Sequence, residues 1–296
     1  MLHGMVPAIV RYFAAATICF CLASAPAAAD TLVMVAGDIA CPPQLPKTPD
    51  SCHQEDTSNL LVKNKPDLVL TAGDNQYDDG KLSDFRDSYD KTWGRLKSIT
   101  KPTPGNHEYR RNDGQGYYNY FGSKAGRPNR GYYSFDREEW HIIALNSNIS
   151  TRRTSRQIEW LRKDLTSNPA DCTLAFWHHP LFSSGEHGNH SYVKPIWKAL
   201  SADDADLVIT GHDHDYERFA PMNAQGEARA KGIRSFVVGT GGVGLRPFKT
   251  IQPHSVVRSD NTFGVLKLTL QAGAYQWEFI PEAGGTFSES GVADCH

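Results

Sequence analysis

Six short apolar runs recur along this chain, and each ends on glycine or a polar side chain. They are "TLVMVAGD" from Thr31, "DLVLTAGD" from Asp67, "WHIIALNS" from Trp140, "CTLAFWHH" from Cys172, "DLVITGHD" from Asp206 and "SFVVGTGG" from Ser235. Runs of this length, rich in Val, Ile and Leu with little alternation, predict strands buried on both faces. Helical patterns lie between them. "SRQIEWLRKDLTS" puts Ile158, Leu161 and Leu165 on one face, with Ser155 placed to cap. "SYVKPIWKALSADD" from Ser191 carries Pro195 near its first turn. Apolar strands flanked by amphipathic helices put the chain in the α/β class. The C-terminal "FGVLKLTLQAGAYQWEFIP" alternates around a glycine turn and predicts a β-hairpin. No Pro/Ser/Gly linker divides the chain after the N-terminal segment, so a single domain is expected over residues 30–296.

What stands at the strand ends matters more than the strands themselves. Asp38, Asp74, His178 and His212 each close an apolar run, and Asn106 and His107 follow "SITKP" in "TPGNHEY". In layered α/β folds, ligand sites form outside the carboxyl ends of strands, where several chain segments converge. Asp38, Asp74, Tyr77, Asn106, His178, His212 and His214 are all competent donors to hard or borderline cations. That is too many for one structural zinc, which takes four ligands. The set suits two ions sharing a bridging carboxylate, about 3.5–4 Å apart, a common device for phosphoryl transfer.

Arg11 precedes the apolar "YFAAATICFCLA", which is short for a bilayer span and leads into "SAPAAAD". Ala27-Ala28-Ala29 has the small-residue form of a cleavage site. Residues 1–29 therefore read as a signal peptide cut after Ala29. The mature chain is expected to be secreted or periplasmic, with no stable membrane association. Of six cysteines, Cys41, Cys52, Cys172 and Cys295 would survive cleavage. An even set in an oxidising compartment favours disulfides. Three connectivities are open, and the pairing Cys41–Cys52 with Cys172–Cys295 is preferred. Lys plus Arg total 31 against 33 Asp plus Glu, so no basic surplus points to nucleic acid.

In chain order the blocks are "GD" at Asp38, "GDNQY" from Gly73, "GNHE" from Gly105, "AFWHHP" from Ala175 and "GHDH" from Gly211. Together they resemble the five signature blocks of calcineurin-like metallophosphoesterases. The tyrosine of the second block narrows the resemblance to purple acid phosphatases, and the chain length to their small single-domain type. The resemblance implies a four-layer fold in which two mixed β-sheets pack as a sandwich flanked by α-helices. It assigns Asp38, Tyr77 and His214 to a first metal and Asn106, His178 and His212 to a second, with Asp74 bridging. The first would be Fe3+, favoured by the hard Tyr77 phenolate, and the second a divalent Fe2+, Zn2+ or Mn2+. The implied reaction is hydrolysis of a small phosphate monoester by in-line attack of metal-activated water, with His107 assisting the leaving group.

The same resemblance makes His187, in "HHPLFSSGEHGNH", a second catalytic or substrate-facing histidine. Asn106, His107, His179 and His187 form the expected substrate-binding set. The glycines and serines of that stretch suggest a mobile rim loop, and His190 reads as surface. Asp213 and Asp215 read as supporting or surface residues. Ala40 stands where the family has glycine. "GTGGVGLRPF" from Gly239 lacks the G-x-G-x-x-G fingerprint and reads as a tight loop near the site. "GYYNYFG" and "GYYSFD" read mostly as wall and core. Two other functions remain open on sequence: a phosphodiesterase or nucleotide hydrolase with the same metals, and a non-catalytic metal- or phosphate-binding protein.

Overall fold

The computed structural model describes residues 1–5 and 29–296, so nearly all of the expected signal peptide lies outside the described residues. Among those described, no helix is long and apolar enough to cross a membrane. The chain runs through β1 (Thr31–Ala36), α1 (Gln54–Asn64), β2 (Leu68–Ala72), α2 (Leu82–Asp87), β3 (Thr100–Thr103), α3 (Asn106–Tyr109), α4 (Gln115–Phe121), β4 (Tyr133–Arg137) and β5 (Trp140–Ala144). It continues with α5 (Arg156–Ser167), β6 (Cys172–Phe176), α6 (Lys194–Ser201), β7 (Leu207–Thr210), β8 (Tyr216–Phe219), β9 (Arg234–Val238), β10 (Ser255–Ser259), β11 (Gly264–Gln271), β12 (Ala274–Pro281) and β13 (Ser290–Asp294).

The strands form two mixed sheets, β13-β12-β11-β1-β2-β3 and β10-β8-β9-β7-β6-β5-β4. β1, β2 and β3 are parallel, as are β5, β6, β7 and β9. Side-chain alternation sorts the second sheet's residues into two layers. Ile142, Leu174, Phe176, Leu207 and Ile209 join one apolar cluster with Val33, Leu70 and Leu268 of the first sheet. Their neighbours Ile143, Ala175 and Val208 instead pack with Ile158 and Leu161 of α5 and Ile196 and Leu200 of α6. The continuous apolar runs are thus explained: each residue is buried, but on alternate faces. The α/β sandwich flanked by helices is the expected architecture.

Local signals behave as read. The Ser155 hydroxyl accepts from the Ile158 N–H at 3.4 Å and caps α5. Pro195 sits in the first turn of α6, and β11 and β12 pair as the C-terminal hairpin. Tyr117, Tyr118, Tyr120 and Phe121 of α4 are core residues. "SITKP" holds a strand that the sequence alone did not reveal, because Pro102 interrupts it. β3 is an edge strand, where a missing N–H is tolerated. Both preferred disulfides form, each with a Cα–Cα separation of 5.4 Å.

Candidate metal centre

Each expected ligand lies beyond the end of a parallel strand, Asn106 at the start of α3 and the others in turns, and three of these turns bend through left-handed backbone. Asp38, Asp74 and His212 have φ of 59°, 45° and 75°, a region L-residues seldom occupy. Side-chain carboxylates hold the turns in place. Asp38 Oδ2 accepts from the His212 N–H at 2.8 Å, and Asp74 Oδ1 accepts from the His107 N–H at 2.8 Å. The motif glycines make these approaches possible. A Cβ on Gly105 would lie 2.1 Å from Asp74 Oδ1, and one on Gly73, at φ 81°, would lie 2.6 Å from the His178 ring.

The seven expected ligands come together as two groups that share one oxygen. In the first, Tyr77 Oη lies 2.9 Å from Asp38 Oδ1 and 3.1 Å from His214 Nε2. In the second, His178 Nε2 lies 3.0 Å from Asn106 Oδ1 and 3.2 Å from His212 Nδ1. Asp74 Oδ2 belongs to both, at 3.0 Å from Tyr77 Oη and 3.2 Å from His178 Nε2. Asp38, Asp74, Tyr77, His178 and His214 are buried.

These contacts test whether the residues fit metal ions. His178 Nδ1 is engaged by the Ala72 carbonyl at 2.9 Å, and His214 Nδ1 by the Gly244 carbonyl at 2.8 Å. Each carbonyl takes the ring's N–H, so the opposite nitrogen of the neutral ring presents a lone pair. His178 Nε2 therefore faces two oxygen acceptors and a second imidazole nitrogen, and the single Tyr77 proton faces two carboxylate oxygens and an imidazole lone pair. So many lone pairs can converge only around positive charge. Ligands about 2.0–2.2 Å from a common ion stand about 3 Å apart, the spacing seen here. The electrostatics agree. Burial opposes charge on His178, but Asp74 outweighs it and drives the imidazole up to about 9. Burial, then Asp38 and Asp74, hold the Tyr77 phenol well above its ordinary range. The pocket gathers more negative field than its own protons neutralise, so the donor set fits two cations.

His107 stands beside this set. Its ring lies 4.0 Å from that of Tyr77, its Nδ1 engages the Asp78 carbonyl at 2.6 Å, and its Nε2 is 3.8 Å from Asp74 Oδ2. Burial moves its pKa below the usual imidazole value, with Asp74 opposing. Glu108, which the sequence reading passed over, fastens the turn by accepting from the Gly105 N–H at 2.7 Å and the Gln76 N–H at 3.0 Å. Its place at the third position after the turn glycine was the available signal.

The histidine-rich stretch differs from expectation. Ser183, Ser184 and Gly185 are buried, and only Glu186, His187 and Asn189 of the stretch are exposed as a rim. Asp213 ties the stretch down: it accepts from the His187 N–H at 2.7 Å, from His187 Nδ1 at 3.0 Å, from the Gly188 N–H at 3.2 Å and from the Ser183 hydroxyl. Burial works against the Asp213 charge, but bonds from His187 and Ser183 hold its carboxyl below the ordinary range. Glu217 likewise fastens Ser184, accepting from its N–H at 2.8 Å. Asp213 and Asp215 are both buried and so are not surface residues. The His187 ring packs against that of His212, with centroids 4.3 Å apart and planes tilted by 36°. His179 packs 4.4 Å from His212 and meets the Ser147 hydroxyl at 2.8 Å. His190 is half-buried, its ring 4.7 Å from that of His212, so it is part of the wall and not plain surface. Ala40 causes no distortion: its N–H reaches Asn75 O at 3.1 Å and its carbonyl takes the Tyr77 N–H at 2.9 Å.

The glycine-rich loop after β9 does adjoin the site. The Val243 N–H donates to Asp38 O, and the Arg246 N–H to His214 O, both at 3.0 Å. Arg246 Nη1 also meets His187 Nε2 at 3.1 Å. The arginine lies within "GTGGVGLRPF", where the glycines and not Arg246 carried the sequence reading.

Comparison with known proteins agrees with the geometry. Purple acid phosphatase 15 of Arabidopsis thaliana is 29% identical over 200 residues, covering 55% of this chain and 38% of that protein. The probable inactive purple acid phosphatase 1 of the same plant is 26% identical over 257 residues, covering 72% of this chain and 41% of that one. The chain thus spans well under two thirds of these relatives' lengths. The purple acid phosphatase PPD1 from yellow lupin (Lupinus luteus) seeds shares the fold, with a TM-score of 0.77 at 18% identity over 90% of this chain and 54% of that chain. The family model for calcineurin-like phosphoesterase matches residues 31–216, the stretch that carries every expected metal ligand, and the chain belongs to that family.

Proposed function

We propose that this protein is an exported dinuclear-metal phosphatase that hydrolyses phosphate monoesters. The observation that carries the reading is Asp74 Oδ2, which stands within 3.2 Å of both donor groups and so can bridge two ions. Bound metals would supply Lewis acidity at the phosphoryl oxygens and bring the pKa of a water toward neutrality. The chain's own residues do the rest. Asp38, Tyr77 and His214 would hold one ion and Asn106, His178 and His212 the other. The Ala72 and Gly244 carbonyls aim the His178 and His214 rings. His107 gives its Nδ1 proton to Asp78 O, so Nε2 carries a proton to pass to the leaving oxygen in the imidazolium form, which burial opposes and Asp74 favours. Tyr77 between two carboxylates supports Fe3+ in the first position, paired with a divalent ion in the second. The two disulfides and the N-terminal apolar segment support a secreted or periplasmic mature chain of residues 30–296.

The test is turnover of a chromogenic monoester and its diester analogue by metal-replete protein. Faster monoester hydrolysis is expected. Preference for the diester would move the reading to a phosphodiesterase or nucleotide hydrolase. A metal-loaded protein that turns over neither would overturn the enzymatic reading.

A further inference from the structure

Three observations meet at Arg246. Its backbone N–H is fixed to the carbonyl of His214, so its origin sits against the first donor group. Its guanidinium reaches His187, whose ring packs 4.3 Å from that of His212 in the second. Among the described residues it has no carboxylate partner, in contrast to Arg218, which is paired with Glu289 at 2.9 Å. A half-buried cation is thus held at the mouth of a metal site with four of its five N–H donors uncommitted.

The chain behind it explains how it is held. Asp213 takes the His187 Nδ1 proton, so His187 Nε2 presents a lone pair, and that lone pair receives Arg246 Nη1. Asp213 orients His187, and His187 orients Arg246. In this arrangement His187 has no proton to give at Nε2, so it is a positioning residue rather than a proton donor.

We propose that Arg246 is a phosphate-binding residue that selects for the monoester dianion. A planar guanidinium matches two non-bridging phosphoryl oxygens with two parallel bonds. A monoester offers three such oxygens and two charges, so oxygens remain for Arg246 after the metals are satisfied. A diester offers two oxygens and one charge, and its second ester group occupies the space. This deepens the phosphatase reading and rests on it for the substrate class, but phosphate binding can be measured without turnover.

The experiment is calorimetric titration of inorganic phosphate into metal-replete wild type, Arg246→Met, Arg246→Lys, His187→Ala and the His187→Ala/Arg246→Met double variant, each with metal content measured. Loss of a charge-assisted bidentate contact should weaken phosphate binding in Arg246→Met by roughly ten- to a hundredfold with metals retained. Arg246→Lys should recover part of the loss. His187→Ala should weaken binding less, and the double variant should be no worse than Arg246→Met alone. Phosphate affinity within about twofold of wild type in Arg246→Met, below the charge-assisted range, would overturn the proposal. So would loss of metal in that variant, which would mark a structural role, or failure of wild type to bind phosphate. Tight, Arg246-dependent phosphate binding without turnover of any ester would keep this inference and sink the phosphatase reading instead.

Discussion

His141, in β5, and His178, just past β6, are both buried, and carboxylates raise the pKa of both. They differ in how their partners are arranged. His141, near the amino ends of the parallel strands, gives each nitrogen its own acid: Nδ1 to Asp136 at 2.6 Å and Nε2 to Asp164 at 3.0 Å. Its partners diverge, and a single extra proton satisfies both of them. His178, beyond the carboxyl end of β6, gives Nδ1 to a carbonyl and turns Nε2 toward two oxygens and a second imidazole nitrogen at once. Its partners converge, and no proton satisfies them all. A raised pKa is common to both places, so it does not mark the site. Convergence of acceptors does.

Removing the shared acceptor breaks the contrast most sharply. Asp74→Asn keeps the shape but lowers the charge of the atom common to both groups. Both metals should be lost and activity should fall by several kcal/mol of barrier, on the order of a thousandfold. Retention of two tightly bound ions, seen by elemental analysis, would show that Asp74 does not bridge. His107→Ala should leave metal content intact and lower kcat by about 10²–10⁴-fold, because only a proton donor is removed. Wild-type kcat in that variant would exclude the role.

Much of the convergent region was legible because its ligands follow strands whose pattern is plain. The Asp38, Asp74, His178 and His212 turns could be placed by where the apolar runs stop. The divergent region was not legible, since its pairs are long-range. Nothing in "DREEWH" shows that Asp164 of α5 will meet His141. The same limit hid Asp213 and Arg246. Asp213 looked redundant inside "GHDH", while its partners Ser183 and His187 come from a different loop. β8 and β10 were missed for a related reason. Glu217 and Ser255 make them look polar, yet each satisfies the other across the sheet.

The far end of the sandwich should respond in stability while the metals stay in place. Replacing both Cys172 and Cys295 by Ser opens a closure spanning 123 residues of sequence. It should lower unfolding free energy by about 2–5 kcal/mol in denaturant titration. Metal loss from that variant in native buffer would mean that the two ends are not independent. A smaller effect is expected at His141. Burial lowers its pKa, but Asp164 and Asp136 outweigh burial and the net shift is upward. The stabilisation is therefore fully present below about pH 6.5, the unfolded imidazole value. It is lost as pH rises through the higher folded value. His141→Gln should consequently be most destabilised relative to wild type in mild acid and approach it in mild alkali. A gap that widens with rising pH would contradict the assignment.

The central claim is that two unlike donor groups, one anionic around Tyr77 and one largely neutral around His178, hold two unlike ions across Asp74. Elemental analysis with a visible absorption spectrum of wild type and Tyr77→Phe tests it most directly. The expected result is two metals per chain, iron among them, with a phenolate-to-iron charge-transfer band that disappears in Tyr77→Phe while the second ion remains. A colourless wild type holding a single metal, or a band unchanged by Tyr77→Phe, would contradict it.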